Sequence, residues 1–316
     1  PMINAGLPDI YIDEGNNCTI TQDCKFDRKN YFYPDNPQNY QISQLYLPIC
    51  RNGHVDVTLS DGTEKTIRIH EIHMEEDAGK LVHDEWEGVS YVDYNRSGVP
   101  LIEIVSEPDM RSAEEVIAYL TKLRTTIQYL GASDCKLQEG SMRADVNLSV
   151  RERGSSEFGT RTETKNLNSF AAIERAIKAE TARQIDLIEA GEKVVQETRR
   201  WNDDKEYSYA MRSKEDAQDY RYFPDPDLVP IHISDEYLAE LKAKQPEFKD
   251  EKKARYIEEF GLPEYDAEIL TDSKKFTEIF EEATAICNQP KKVSNWIMGE
   301  TVGKSLRHSC RSELTR

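Results

Sequence analysis

No run of about 18 apolar residues occurs in the 316-residue chain, so the sequence offers no membrane-spanning helix. There is no G-x-x-x-x-G-K-[ST] phosphate loop, no G-x-G-x-x-G after a strand and no G-x-S-x-G elbow. This argues against a P-loop NTPase, a Rossmann dehydrogenase and an α/β-hydrolase. Zinc spacing is missing as well, with neither a Cys-x-x-Cys pair nor a His-Glu-x-x-His motif. The six cysteines (Cys18, Cys24, Cys50, Cys135, Cys287, Cys310) are scattered. A chain this long needs no disulfide staples, so reduced thiols are expected. The first residues carry no basic region, apolar core or Arg/Ser-rich pattern of a targeting peptide. Positive charge is scarce: 41 Lys and Arg stand against 59 Asp and Glu, a formal charge of −18. Such a balance opposes broad polyanion binding but leaves room for a local basic groove or a carboxylate site that holds cations.

What is present belongs to a folded chain. Aromatics make up 9% and include 16 Tyr, too many for disorder. The length predicts about two domains. Val55–Leu59 and Lys65–Ile69 alternate with period two around Asp61-Gly62, which predicts a hairpin. Val89–Tyr94 and Leu101–Val105 are further strands, whereas the punctuated segment Lys25–Pro37 reads as a structured loop. Ser112-Ala-Glu-Glu115 looks like a capping box. It opens a helix striped by Val116, Leu120, Leu123, Ile127 and Leu130 and stopped by Gly131. Met142 to Val150 alternates as a strand with Arg143, Asp145, Asn147 and Ser149 on its polar face, and Arg161, Glu163 and Lys165 share a face of the next strand. A second helix is predicted over Ser169–Ala190, with Ile173, Ile177 and Ile188 on its apolar side. Segments 235–244, 249–260 and 274–286 are charged and helical. The expectation is an α+β fold with an antiparallel sheet over residues 1–234, followed by a helical domain over 235–316.

Four places carry chemistry. Glu75-Glu76-Asp77, within His73–Lys80, puts three acids in a row, and a divalent cation would neutralise them. A solvated acidic turn is the alternative. Glu103, with apolar residues on both sides, reads as a partly buried acid that must be paired, protonated or metal-bound. Acids and bases alternate on the faces of Arg143, Asp145, Asn147 and of Arg161, Glu163, Lys165. There the acids can hold Mg²⁺ while Arg143 and Lys165 contact phosphate, or both strands simply face solvent with cross-strand ion pairs. Arg221 stands among Tyr220, Tyr222 and Phe223, either as an aromatic-flanked contact for an RNA base or as a packed turn.

Val92–Ile104 closely resembles the signature of the GatB family, which supplies one subunit of aspartyl/glutamyl-tRNA amidotransferases. So do Lys25–Pro37, His73–Lys80, Glu139–Asn147, Lys165–Phe170 and Asp219–Asp227, with Gly261–Ala267 and Ser294–Gly299 as helical-domain landmarks. The motifs run collinearly over residues 17–300. The resemblance implies a cradle similar to glutamine synthetase over residues 1–234 and a partial helical domain over 235–316. It implies a two-step reaction. ATP with Mg²⁺ phosphorylates the side-chain carboxylate of Glu or Asp mischarged on tRNA, and ammonia from a glutaminase (A) subunit, in a complex with a small (C) subunit, displaces the phosphate. The implied substrates are Glu-tRNA(Gln) or Asp-tRNA(Asn). No DNA or membrane partner is implied, and the location is cytoplasmic of the bacterial type, with an organelle as alternative. Glu76 and Glu103 match the family's metal-site acids, Glu75 and Glu163 match second-site acids, and Asp145 completes the cluster. Arg143 and Lys165, from their charge and face, are the phosphate contacts. Glu76, Glu103, Asp145, Arg143 and Lys165 form the expected catalytic set. The family's first strand, a Gly-Leu-Glu-Val-His-Val run that contributes a Glu and a His, has no counterpart here. Residues 1–16 and 301–316 look unlike the family, so truncation at both ends is expected. A catalytically incomplete module that binds tRNA or scaffolds subunits is the alternative function.

Overall fold

A computed structural model describes residues 18–84, 86–213 and 219–302. The chain divides into two compact units. The first takes in the chain up to Lys122 together with Ser133–Lys244, and the second takes in Leu123–Ala132 and the chain from Gln245. The architecture is α+β. Cys310, read above as a reduced thiol, and the two ends read as atypical lie mostly outside the described residues. The other five cysteines are free.

The strands of the first unit fall into an early and a late series. The early series is β1 (Thr19–Ile20), β2 (Asp23–Cys24), β3 (Asp27–Asn30), β4 (Tyr40–Ser43), β5 (Cys50–Thr58), β6 (Glu64–Glu76), β7 (Lys80–Asp84), β8 (Val89–Asp93) and β9 (Pro100–Ser106). The late series is β10 (Val146–Leu148), β11 (Thr162–Lys165), β12 (Glu197–Asn202), β13 (Tyr207–Ser213), β14 (Phe223–Pro224) and β15 (Ile231–His232). One four-stranded antiparallel sheet has the order β1-β5-β6-β9. Its predicted hairpin is present and longer than the alternation suggested. Asp61 accepts a hydrogen bond from the Thr63 N–H at 2.8 Å, and Gly62 takes a φ of +84° that a side chain would resist.

A register shift between Ile69 and Glu71 on β6 decides what the sheet presents. Before it, odd-numbered Ile67 and Ile69 are buried. After it, even-numbered Ile72 and Met74 enter the core with Cys24, Phe26, Ile49, Cys50 and Ile233. The irregularity changes the parity of the buried face, so His73 and Glu75 leave the core side. Lys25–Pro37 corrects the loop reading, because Asp27–Asn30 is strand, paired with β4 on one side and β14 on the other. Its pairing partner Phe223 lies far along the chain, so local punctuation could not reveal it.

Helix α1 (Ala113–Leu130) starts where the sequence predicted. Ser112 Oγ accepts from the Glu115 N–H at 3.2 Å, but the Glu115 carboxylate turns to the Arg111 N–H and to Lys65, so only half of the capping box forms. Helix α2 (Phe170–Glu189) is capped by Ser169 and packs Ala172, Ile173, Ala176 and Ile177 against Leu167 and Trp201. Ile188 is exposed rather than on the buried side. The helix buries Glu180 and Gln184 instead. They are satisfied by Thr162, Arg183 and one another. A second sheet, β10-β11-β12-β13, is antiparallel except for the parallel pair β11/β12. The strand predicted over 142–150 shrinks to Val146–Leu148. Residues 142–145 have no ladder partner in the described structure, and Arg143 is drawn to Asp77. Helix α3 (Asp235–Lys244) belongs to this unit, with Tyr237 and Leu238 against its first core.

The second unit holds α4 (Lys249–Glu258), α5 (Glu264–Thr271), α6 (Lys274–Cys287), α7 (Pro290–Trp296) and a π-helix (Ile297–Val302). Tyr256, Leu262, Ala267, Leu270, Phe280 and Ile297 form its core. Tyr256 and Phe280 pack with ring centroids 4.7 Å apart. The Tyr129 hydroxyl donates to the Thr271 carbonyl at 2.7 Å and ties the end of α1 into this core. The short helices α5 and α7 escape periodicity because each spans about two turns. No described helix is long and apolar enough to cross a membrane.

Candidate functional site

The parity change on β6 places His73 and Glu75 on the face opposite Ile72 and Met74, and β9 runs antiparallel beside it with Glu103 opposite His73. His73 Nε2 lies 3.3 Å from Glu75 Oε1 and 3.3 Å from Glu103 Oε2. One donor atom from each of the three residues falls within 4.8 Å of the others. Glu75 is buried, and Ser43 Oγ donates to its Oε1 at 2.8 Å while Gln41 Nε2 donates to its Oε2 at 3.1 Å. Strand β4 thus fixes the carboxylate from the side.

Glu103 corrects an expectation. Ile102 and Ile104 pack on the core as predicted, but the Glu103 side chain is 53% exposed. Leu101, Glu103 and Val105 share the open face, and that face is not covered. Glu103 is therefore an accessible acid with one close partner, the imidazole.

Electrostatics follow from this placement. Burial pulls the His73 imidazole down, and the contacts with Glu103 and Glu75 overcome it and hold the ring at about 9. Burial pushes Glu75 up, but His73, Lys29 and Ser43 outweigh it and keep the carboxyl below its usual range. His73 Nδ1 is buried without a hydrogen bond, and Glu71 Oε1 lies 3.5 Å from it. An orphaned nitrogen, a second nitrogen facing two carboxylates, and carboxylates already oriented by outer partners make a donor set that fits a divalent cation. Oxygen donors suit Mg²⁺, while the imidazole is a donor that Mn²⁺ or Zn²⁺ accepts more readily.

The remaining predicted residues are placed differently. Glu76 accepts from the Ile42 N–H at 3.1 Å and from Gln38, and it lies outside the three-residue group. Burial raises its carboxyl above the usual range. Lys165 Nζ sits 2.5 Å from Asp145 and 3.0 Å from Glu163, so these three form a second cluster in which the lysine balances both acids. Thr198 Oγ1 donates to Glu163 at 2.9 Å. Arg143 Nη2 meets Asp77 Oδ2 at 2.5 Å, and Arg96 approaches the same oxygen at 3.2 Å. Asp77, directly after the β6 acids, is buried and held by two arginines.

His73 was quoted within the acidic motif but not singled out as a donor. Its signal was the i, i+2 spacing to Glu75, which puts both on one strand face. Ser43, Gln41 and Asp77 gave no comparable signal, because their roles depend on strands that meet only in the fold.

Aromatic residues border this group. Tyr31 is pushed up to about 12 by burial and by the charges of Asp35 and Glu75. Tyr222 is pushed up by burial, with Glu75, Tyr220 and Glu103 contributing. Tyr220 lies edge-on to both Tyr31 and Tyr222, with centroids 6.2 Å apart in each pair.

Comparisons with known proteins agree in one direction. The model of the GatB/GatE catalytic domain matches residues 8–239. A protein of Lachnospira eligens, named as the GatB-type component of an aspartyl/glutamyl-tRNA(Asn/Gln) amidotransferase, is 99% identical over 286 residues, covering 90% of this chain and 59% of that protein. Proteins of the same name from Agathobacter rectalis and Lachnoclostridium phytofermentans are 72% and 65% identical over 304 residues, covering 96% of this chain and 64% and 63% of those proteins. The chain thus spans about six tenths of the length of these relatives. The alignments reach further toward the ends than residues 17–300, and the family match begins at residue 8, within the stretch read above as unlike the family.

Proposed function

The chain belongs to the GatB/GatE catalytic domain family, and from that premise we propose that it activates and amidates Glu or Asp mischarged on tRNA. The observation that carries the reading is the His73, Glu75 and Glu103 group on β6 and β9, open on the Glu103 side. The relatives' name supports the tRNA-linked substrate and the membership of a multi-subunit complex. On this reading the chain uses ATP and Mg²⁺, works with a glutaminase (A) subunit and a small (C) subunit, and takes Glu-tRNA(Gln) or Asp-tRNA(Asn). The cytoplasm of a bacterium is the proposed location.

A carboxylate is a poor acyl donor, because its oxygen is a poor leaving group. In the proposed first step the side-chain carboxylate attacks the γ-phosphorus of ATP, and ADP leaves with the electron pair of the broken P–O bond. Ammonia then attacks the carbonyl carbon and loses a proton, and inorganic phosphate leaves. His73, Glu75 and Glu103 are the residues that would hold Mg²⁺, which when bound stabilises charge on the triphosphate. Ser43 and Gln41 keep Glu75 from turning away. Arg143 uses one nitrogen on Asp77 and leaves the rest of a half-exposed guanidinium for phosphate oxygens. Lys165 reaches phosphate only by releasing Asp145 or Glu163, which would then be free for a second cation.

The test is formation of Gln-tRNA(Gln) from Glu-tRNA(Gln) by the assembled complex with glutamine, ATP and Mg²⁺. Chelation of Mg²⁺ should abolish product. Product formation at the wild-type rate by Glu103→Gln would remove the site assignment, and absence of ATP turnover by the wild-type complex would favour the scaffolding alternative.

A further inference from the structure

Arg221 is held in an unusual backbone state. Its φ is +45°, in the left-handed region that a long side chain seldom adopts without support. The support is visible. The Asn30 N–H donates to the Tyr220 carbonyl at 3.0 Å, the Asn30 side chain donates to the Arg221 carbonyl at 2.8 Å, and Asp219 accepts from the Arg221 N–H at 3.1 Å. The conformation separates neighbours. Tyr220 and Tyr222 turn edge-on to one another, with Tyr222 close enough to feel the charges of Glu75 and Glu103, while Arg221 is exposed.

Most basic groups in this acidic chain are paired with carboxylates. Arg221 has no ion pair or side-chain hydrogen bond among the described residues. Lys29 likewise has no ion pair there, and its Nζ stands 5.1 Å from the centre of the Tyr220 ring. Two cations without carboxylate partners therefore flank one aromatic edge. Exposed rings continue it: Phe32 follows Tyr31 and is 81% exposed, and Phe223 follows Tyr222 and is 43% exposed. Unpaired cations beside exposed aromatic faces suit a single-stranded nucleic acid, with phosphate on the guanidinium and ammonium and bases stacked on the rings.

We propose that Arg221, with Lys29 and the rings of Phe223 and Phe32, is a clamp for the single-stranded acceptor end of the RNA substrate. This rests on the reading above that the substrate is an aminoacyl-tRNA. An aminoacyl ester sits at the 3′ end of the RNA. A strand held at Arg221 enters beside Tyr222, the residue that links the clamp to the Glu75 and Glu103 carboxylates. Arg221 here is a binding residue, and the chemistry stays with the carboxylate group.

The test uses Arg221→Gly, because glycine tolerates the positive φ and removes only the guanidinium. The probe is a short RNA hairpin with a single-stranded 3′ tail, and binding is followed by fluorescence anisotropy at several salt concentrations. The variant should keep or raise the wild-type melting temperature, bind about tenfold more weakly, and lower the slope of log affinity against log salt by about one. Arg221→Lys should recover part of the affinity. A blunt hairpin without the tail should bind wild type and Arg221→Gly equally. Unchanged affinity and salt slope for the tailed RNA in Arg221→Gly would overturn the proposal. So would a loss of ATP binding with RNA binding intact, since the clamp would then serve the nucleotide. Mn²⁺ binding, measured in parallel, separates the two ideas. If wild type binds no Mn²⁺ but the tailed RNA still depends on Arg221, the metal-site reading fails and the clamp stands.

Discussion

The two units use the same acids in opposite ways. In the helical unit, Glu247 and Glu281 meet Arg255 and Lys252: Arg255 Nη2 lies 2.6 Å from Glu247 and 2.5 Å from Glu281, and Lys252 lies 2.7 Å from Glu281. Tyr256 donates its hydroxyl to the same Glu281 oxygen at 3.0 Å. Two carboxylates thus face two permanent cations. On β6 and β9, Glu75 and Glu103 face one imidazole, with no lysine or arginine ion pair to either among the described residues. The first arrangement closes its own charge balance and serves the fold. The second leaves anionic capacity over, which is what a site for an external cation requires.

This contrast can be broken by substitution. The largest effect is expected for Glu103→Gln, which should lower amidation about 100-fold. The melting temperature should hold or rise, because the side chain is exposed and lies near another carboxylate. A thermal unfolding curve beside the amidation assay decides it, and a clear loss of stability would make Glu103 a structural acid. Next in size is Ser43→Ala, which removes one of the hydrogen bonds that aim Glu75. Affinity for Mn²⁺, measured by calorimetry, should fall about tenfold.

Glu281→Gln should behave in the reverse way. It leaves Lys252 and part of Arg255 without their partner, and denaturant unfolding should show a loss of about 1 kcal/mol, with Mn²⁺ affinity unchanged. Acid titration gives the smallest effect. Arg255 beside Glu247 and Lys252 beside Glu281 hold both carboxyls below their ordinary range, and Lys249 with Lys253 does the same for Glu268, in each case against or alongside a burial effect that raises them. A depressed folded-state value means the stabilisation is complete above the unfolded value, about 4.3 for Glu, and is lost as pH falls through the folded values. Helical-unit stability followed by circular dichroism should therefore decline below about pH 4. A flat profile from pH 5 to 3 would show that these pairs contribute nothing.

The sequence made the strands around the site legible where a single period persisted. The β5/β6 hairpin, the β9 alternation and the two long helices α1 and α2 could all be read from it. It misled where periodicity broke. The shift at Ile69/Glu71 moves the core from odd to even residues on β6, and no count of alternation predicts a change of parity. Glu103 was read as partly buried from its apolar neighbours, yet those neighbours serve only one face. The strand over 142–150 was overextended, because Arg143 leaves the ladder for Asp77. Glu75 and Glu103 were identified through the resemblance. Their assembly with His73, Ser43 and Gln41 depended on strand pairing that local sequence does not encode.

The pairing of β3 with β14 has a consequence for how the molecule is made. Asp27 is in register with Pro224, and Arg28 binds Asp225 at 2.7 Å, so the first of these partners is synthesised almost two hundred residues before the second. At about 5–20 residues per second, β3 waits roughly 10–40 s on the ribosome for its neighbour. Throughout that interval the segment bearing Lys29 and Tyr31 has an open edge and no Tyr220 beside it. The aromatic border of the site is therefore a late product of translation. A nascent chain released before residue 224 would carry the acids of β6 and β9 without the tyrosines that flank them.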